Sequence, residues 1–203
     1  MEPTEEIVEK NPAPPAGKKE NAKGSVFEFV KFALIAVVIV VPVRLFIAQP
    51  FVVSGASMVP SFQSGHYLII DEISYRFEEP KRGEVIVFRF PFDTGKFLIK
   101  RVAGLPGETV SIKGDEVTIT NKAHPEGFLW QQGEFNSSRK DAEQMMTLAD
   151  DEYFVLGDNR DESADSRLWG KLKREFIVGR PLIRLFPFSQ IGVFPGEWEQ
   201  ETE

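Results

Sequence analysis

Apolar and polar positions divide the chain into stretches of different texture. Residues 1–24 are rich in Glu, Lys, Pro and Ala and lack apolar periodicity, which predicts a disordered tail over 1–25. Residues 26–48 form the most apolar segment. Its charge-free core, 32–43, spans about 18 Å at helical rise, short of a hydrocarbon layer of about 30 Å. Counted over 27–48 the length reaches about 33 Å, and Lys31 and Arg44 can carry their charges out to the interfaces. The pattern predicts one transmembrane helix over 26–48, with Pro42 near one end, where a kink is tolerated. A cleaved signal peptide competes with this reading, since Ser54-Gly55-Ala56 offers a small-x-small site. The long, acid-containing region ahead of the core and the distance of that site beyond it argue against cleavage. Lys18, Lys19, Lys23 and Lys31 precede the span, whereas beyond Arg44 no basic residue occurs until Arg76. The positive-inside rule then puts the tail in the cytoplasm and everything after Gln49 outside.

From residue 51 the pattern changes to short β-branched or aromatic runs between turn residues. Runs at 66–71, 84–90, 96–102, 109–113, 117–120, 152–156, 176–179 and 182–186 read as strands. Gly65, Pro80 to Gly83, Pro91 to Gly95, Gly104 to Gly107 and Gly114-Asp115 supply the breaks, the last of them a hairpin turn. Residues 121–150 are polar and irregular, a small surface excursion with one short helix near 142–146. The series predicts a mainly β protein: an antiparallel domain over 49–203, partly closed as a barrel, behind a single N-terminal helix. No long amphipathic helix and no internal repeat interrupts it.

Composition narrows the chemistry. A formal net charge of -7 with no long basic run argues against a nucleic-acid partner. The absence of cysteine removes disulfides, thiol nucleophiles and thiolate metal sites, and two histidines cannot build a histidine-rich metal centre. Eighteen phenylalanines against three tyrosines suit a domain with much apolar surface, such as one lying against lipid.

Three stretches carry candidate chemistry. The first is Val-Ser-Gly-Ala-Ser-Met-Val-Pro-Ser at 53–61, where small residues crowd around the Ser57 hydroxyl. It reads either as an uncluttered nucleophile or as a plain turn leading into a domain. The second is Lys100, which follows an apolar run and precedes Arg101-Val-Ala-Gly-Leu-Pro-Gly107. A lysine facing an apolar interior loses ammonium hydration, so it can exist as a neutral amine and take a proton from a neighbouring hydroxyl. A solvent-facing lysine on an amphipathic strand is the plainer alternative. The third, 157–170, alternates acids and arginines between glycines, the material of a polar turn held by side-chain bonds. A solvated loop fits it too, but not an EF-hand, whose ligand order is missing. His66 sits at a strand edge and His124 in a loop, neither beside a motif-like acid, and both read as structural.

Together these stretches resemble the boxes of the membrane-bound type I signal peptidases, serine proteases that remove signal peptides from exported preproteins. Ser57-Met58 with Pro60, Lys100-Arg101 with Gly104 to Gly107, and Gly157-Asp-Asn159 with Ser163, Asp165-Ser-Arg167 and Gly170 are similar to the three, in order. The resemblance implies that Ser57 is the nucleophile and Lys100 the general base. Arg101 would be structural, Ser163 would hold the lysine amine, and Asp165 with Arg167 would brace that turn. Phe51, Val53 and Ile99 would line shallow pockets for small side chains at the first and third positions before the cut. It implies a mainly antiparallel β fold beside membrane lipid, preproteins as partners, and neither metal nor cofactor. Gly55 stands where some relatives have an oxyanion-binding serine, which leaves that task to backbone N–H groups, and Ser61 replaces the usual Thr. Two other readings of the same residues remain: a non-catalytic, membrane-anchored β module that binds exported chains, and a self-cleaving regulator, for which Ala16-Gly17 would be a scissile dipeptide on the wrong side of the membrane.

Overall fold

The computed structural model describes residues 22–42, 48–114, 116–130 and 143–197. The expected tail lies outside them except for 22–25, which are helical. Helix α1 runs Ala22–Pro42, starting before the expected span and stopping at its proline, while residues 43–47 are not described and Ala48 already opens a strand. The transmembrane reading over 26–48 is therefore not reproduced as one continuous helix. Among the described residues no helix is long and apolar enough to cross a membrane. Lys23, Glu28 and Lys31 all fall in the N-terminal half of α1 and break its apolar run.

The rest is antiparallel β structure. In chain order the strands are β1 Ala48–Val52, β2 Tyr67–Asp71, β3 Val85–Phe90, β4 Asp93–Gly104, β5 Thr109–Lys113, β6 Glu116–Thr120, β7 Phe128–Leu129, β8 Gln144–Thr147, β9 Glu152–Leu156, β10 Leu172–Lys173, β11 Ile177–Phe186 and β12 Gly192–Val193, with a short helix α2, Ser166–Trp169, before β10. One sheet has the order β1-β2-β11-β3-β4-β9-β10, with β12 added to β11; the other is β7-β6-β5-β8. Among the described strands the larger sheet has β1 and β10 at its two ends.

Side-chain alternation explains the core. On β3, Val85 and Val87 enter a cluster with Val53, Met58, Phe62, Leu68 and Ile70, whereas Ile86 and Phe88 enter another with Val102, Tyr153, Val155 and Leu172. A strand covered on both faces reads as an unbroken apolar run, which is how 84–90 looks in the sequence. A third cluster sets Val110, Ile112, Val117 and Ile119 of the small sheet against Ala103, Phe154 and Leu156 of β4 and β9.

Three local expectations change. The short helix near 142–146 is strand β8, which pairs with β5 from Thr109↔Thr147 to Ile112↔Gln144. A partner strand offering a full ladder overrides the helical propensity of Met-Met. The runs 176–179 and 182–186 are one strand, because Pro181 falls at a register shift opposite β2, where no ladder N–H is required. Finally, β4 begins at Asp93, so the break after Phe90 is only a tight turn.

Candidate active site

Residues 53–66 form a loop closed at its base: the Val53 N–H donates to the His66 carbonyl and the Gly65 N–H returns to the Val53 carbonyl, both at 2.9 Å. Gly55, at φ +98°, makes a turn that side-chain-bearing residues rarely adopt. Met58 and Phe62 are fully buried and pin the loop, leaving Ser57 half-buried at its rim.

Lys100 comes from the middle of β4, between Leu98 and Val102, which share its face and pack in the core. That placement leaves the lysine 3% exposed. Its Nζ is hydrogen bonded to Ser57 Oγ at 2.7 Å and to the Ile99 carbonyl at 3.0 Å. Desolvation pulls the amine down to about 8, against the opposing pull of the Asp165 and Asp158 carboxylates. At that value about a tenth of the amine is neutral at pH 7, compared with roughly three in ten thousand for an ordinary lysine.

The stretch 157–170 closes the site from the side. The Asn159 N–H donates to the Ser57 carbonyl at 3.0 Å. Gly157 permits this contact: a Cβ there would stand 2.5 Å from the Ser57 carbonyl oxygen and 2.2 Å from Ser163 Oγ. Asp165 accepts from the Gly157 N–H at 3.0 Å, caps α2 through the Arg167 N–H, and pairs with the Arg167 guanidinium at 2.8 and 2.9 Å. Arg167 also donates to the Arg160 carbonyl at 2.7 Å. Ser163 is buried beside this turn, but its hydroxyl makes no bond to Lys100; Oγ has no hydrogen-bond partner among the described residues. Arg101 forms a buried pair with Asp158.

The two histidines take no part. Burial first, and the Arg184 charge second, hold His66 below its ordinary pKa, and its Nδ1 accepts from the Gln63 N–H at 3.3 Å. His124 stacks edge-on against Phe128, with ring centroids 5.1 Å apart. Among the described residues no group of three His, Asp or Glu side chains could hold a metal ion.

A cleft opens in front of Ser57 and Lys100, walled by Phe51, Val53, Leu68, Val87, Phe97 and Ile99. Phe51, Val53 and Ile99 were expected from the sequence. Leu68, Val87 and Phe97 were not, although the two-residue period running back from Ile99 points at Phe97.

A β scaffold that offers a serine hydroxyl to a desolvated amine, at the end of an apolar cleft, has the parts of a serine-type hydrolase. Known proteins agree. The family described as signal peptidase, peptidase S26, matches residues 26–186. A signal peptidase I of Leptolyngbya laminosa is 33% identical over 189 residues, covering 89% of this chain and 90% of the relative. A probable signal peptidase I-2 of Synechocystis is 33% identical over 98% of this chain and 89% of its own length, and a signal peptidase I of Bacillus licheniformis is 33% identical over 86% and 96%. The crystal structure of a signal peptidase I from Enterococcus faecalis aligns with 51% of this chain and 97% of its own at 28% identity, with a TM-score of 0.42. On the sequence matches, this chain belongs to the signal peptidase family and is a peptide hydrolase.

Proposed function

We propose that this protein cleaves N-terminal signal peptides from exported preproteins through an acyl-enzyme formed on Ser57, with Lys100 as general base. The observation that carries the reading is the 2.7 Å contact between Ser57 Oγ and an amine that is almost wholly buried. Neutral Lys100 keeps an N–H on the Ile99 carbonyl and turns its lone pair to the serine hydroxyl. It takes the hydroxyl proton as Oγ attacks the scissile carbonyl, then returns it to the leaving amine. The Ser57 N–H donates to no partner among the described residues and is available to the developing oxyanion. Asp165 and Arg167 brace the turn that seats the Ser57 carbonyl, and Ser163 stands ready to take up the amine once the serine is acylated.

Phe51, Val53 and Ile99 narrow the cleft next to the hydroxyl, which favours small side chains at the first and third positions before the cut, an Ala-x-Ala pattern. A preprotein with such a site is expected to be cut there, as product masses would show. Replacing either alanine with Leu should lower kcat/KM by about 10- to 200-fold. Indifference to those two positions would refute the pocket assignment.

The same reading carries a pH profile. Raising the pH deprotonates Lys100, so kcat/KM should climb through about 8 and then level off. At pH 6 it should be about one hundredth of the plateau. A profile still rising near pH 10 would show an ordinary, hydrated lysine and defeat the desolvation argument.

In this proposal residues 1–25 are a cytoplasmic tail, 26–48 a single membrane anchor and 49–203 the extracytoplasmic peptidase domain. Support for the anchor comes from α1, where Phe29, Phe32, Leu34, Val37 and Val38 are exposed on several sides of the helix. Exposed Phe186, Phe188, Ile191 and Phe194 near the C-terminus suit contact with the lipid interface.

A further inference from the structure

The cleft does not stop at Ile99. Two residues back on the same face of β4, Phe97 continues its wall, in edge-to-face contact with Phe51 of the same lining at 5.1 Å between centroids. The Arg89 guanidinium lies 4.8 Å from the Phe97 ring centroid. Arg89 is the cross-strand partner of Phe97 on β3, and its Nη1 donates to the Thr94 carbonyl at 3.4 Å. Phe97 nevertheless remains 37% exposed while lining the cleft. A ring held by two neighbours and still partly exposed is a rigid apolar contact that loses little entropy on binding.

Given the peptidase reading above, on which this step rests, an extended substrate lies along β4 with its cut at Ser57. Its upstream residues run from Ile99 toward Phe97. Substrate and wall share a two-residue period of about 6.6 Å, so the wall position beyond Ile99 meets the substrate side chain two places beyond the third. We propose that Phe97, with Phe51, forms a subsite for an apolar side chain at the fifth position before the cut, and that Arg89 is the positioning residue that holds the Phe97 ring.

The test uses the full chain and three preproteins that share one Ala-x-Ala site. One has Leu at the fifth position, one has Ser there, and one has Leu moved to the fourth. The expected kcat/KM ratio of fifth-position Leu to Ser is about tenfold, the low end for apolar discrimination because the subsite is half open. Phe97→Ala should bring the ratio to about twofold or less, and Arg89→Gln should place it between the two. A substrate ratio is unmoved by a general loss of active protein, so a merely structural defect leaves it at its starting value. Equal rates for fifth-position Leu and Ser, an equal gain from fourth-position Leu, or an unchanged ratio in Phe97→Ala would each overturn the subsite alone. Failure of the unaltered protein to cut any of the three would instead overturn the peptidase reading and the subsite with it.

Discussion

Ser57→Ala and Lys100→Met are each expected to lower preprotein cleavage by about 10⁴-fold or more, and the double variant should be no slower than the worse single one. The two groups act as a unit: without the base the hydroxyl keeps its proton, and without the hydroxyl the amine has nothing to activate. Lys100→Met is the informative replacement. It fills nearly the same volume beside Leu98 and Val102 while removing a group whose burial disfavours its charge. The folded domain should therefore be as stable as the original or more so, which separates lost chemistry from lost structure. Lys100→Arg should be equally inactive, because a guanidinium does not deprotonate at any working pH. Cleavage within tenfold of the original in Lys100→Met would require another base. His66 is a poor substitute, since its Nδ1 already accepts a backbone N–H. A serine-acylating reagent should label the original protein and not Ser57→Ala, whereas a protein that only binds exported chains would not be labelled at all.

The second large effect is on stability. Arg101→Met should cost about 3–5 kcal/mol, read as a shift in the urea midpoint at constant slope. Arg101 and Asp158 are each 1% exposed. The guanidinium donates to both Asp158 oxygens at 2.9 and 2.7 Å, to the Gly83 and Gly196 carbonyls at 2.8 and 2.6 Å, and to Ser61 Oγ at 3.2 Å. These five partners match its five donors. Removing the cation takes two charge-assisted hydrogen bonds from the buried Asp158 carboxylate and strips two carbonyls of their donor. Changing Asp158 to Leu as well should restore part of the loss, because burying a carboxylate that has lost its bidentate partner costs more than burying an apolar side chain. A single-variant loss below about 1 kcal/mol would mean that water enters and solvates Asp158. The cluster also explains why an arginine follows the candidate base. Adjacent residues of a strand point to opposite faces, so Lys100 can share the face of Leu98 and Val102 while Arg101, on the other face, ties residues 61, 83, 158 and 196 together.

Much of the fold was legible because strand signals are local. Alternation and turn residues place β2, β3, β5, β6 and β9 within a residue or so of their observed bounds. β8 was hidden because Gln-Met-Met-Thr has no strong preference of its own and becomes a strand only when β5 supplies its ladder. The join of 177–186 through Pro181 was hidden for a similar reason, since only the bulge against β2 makes a proline acceptable there. At the site, residue types and order singled out Ser57, Lys100 and the 157–170 turn. They did not reveal that Ser163 lacks a bond to the amine or that Phe97 extends the cleft.

By itself the sequence determined which segments could be strands and which side chains had reactive chemistry, because both properties travel with residues and their immediate neighbours. The tertiary structure alone decided that residues 43 positions apart stand 2.7 Å from each other, and that the amine between them is dry enough to fall to about 8. Desolvation is a sum over atoms brought in from β3, β4, the 53–66 loop and the 157–170 turn, and no stretch of chain contains that sum until the sheet has closed around it.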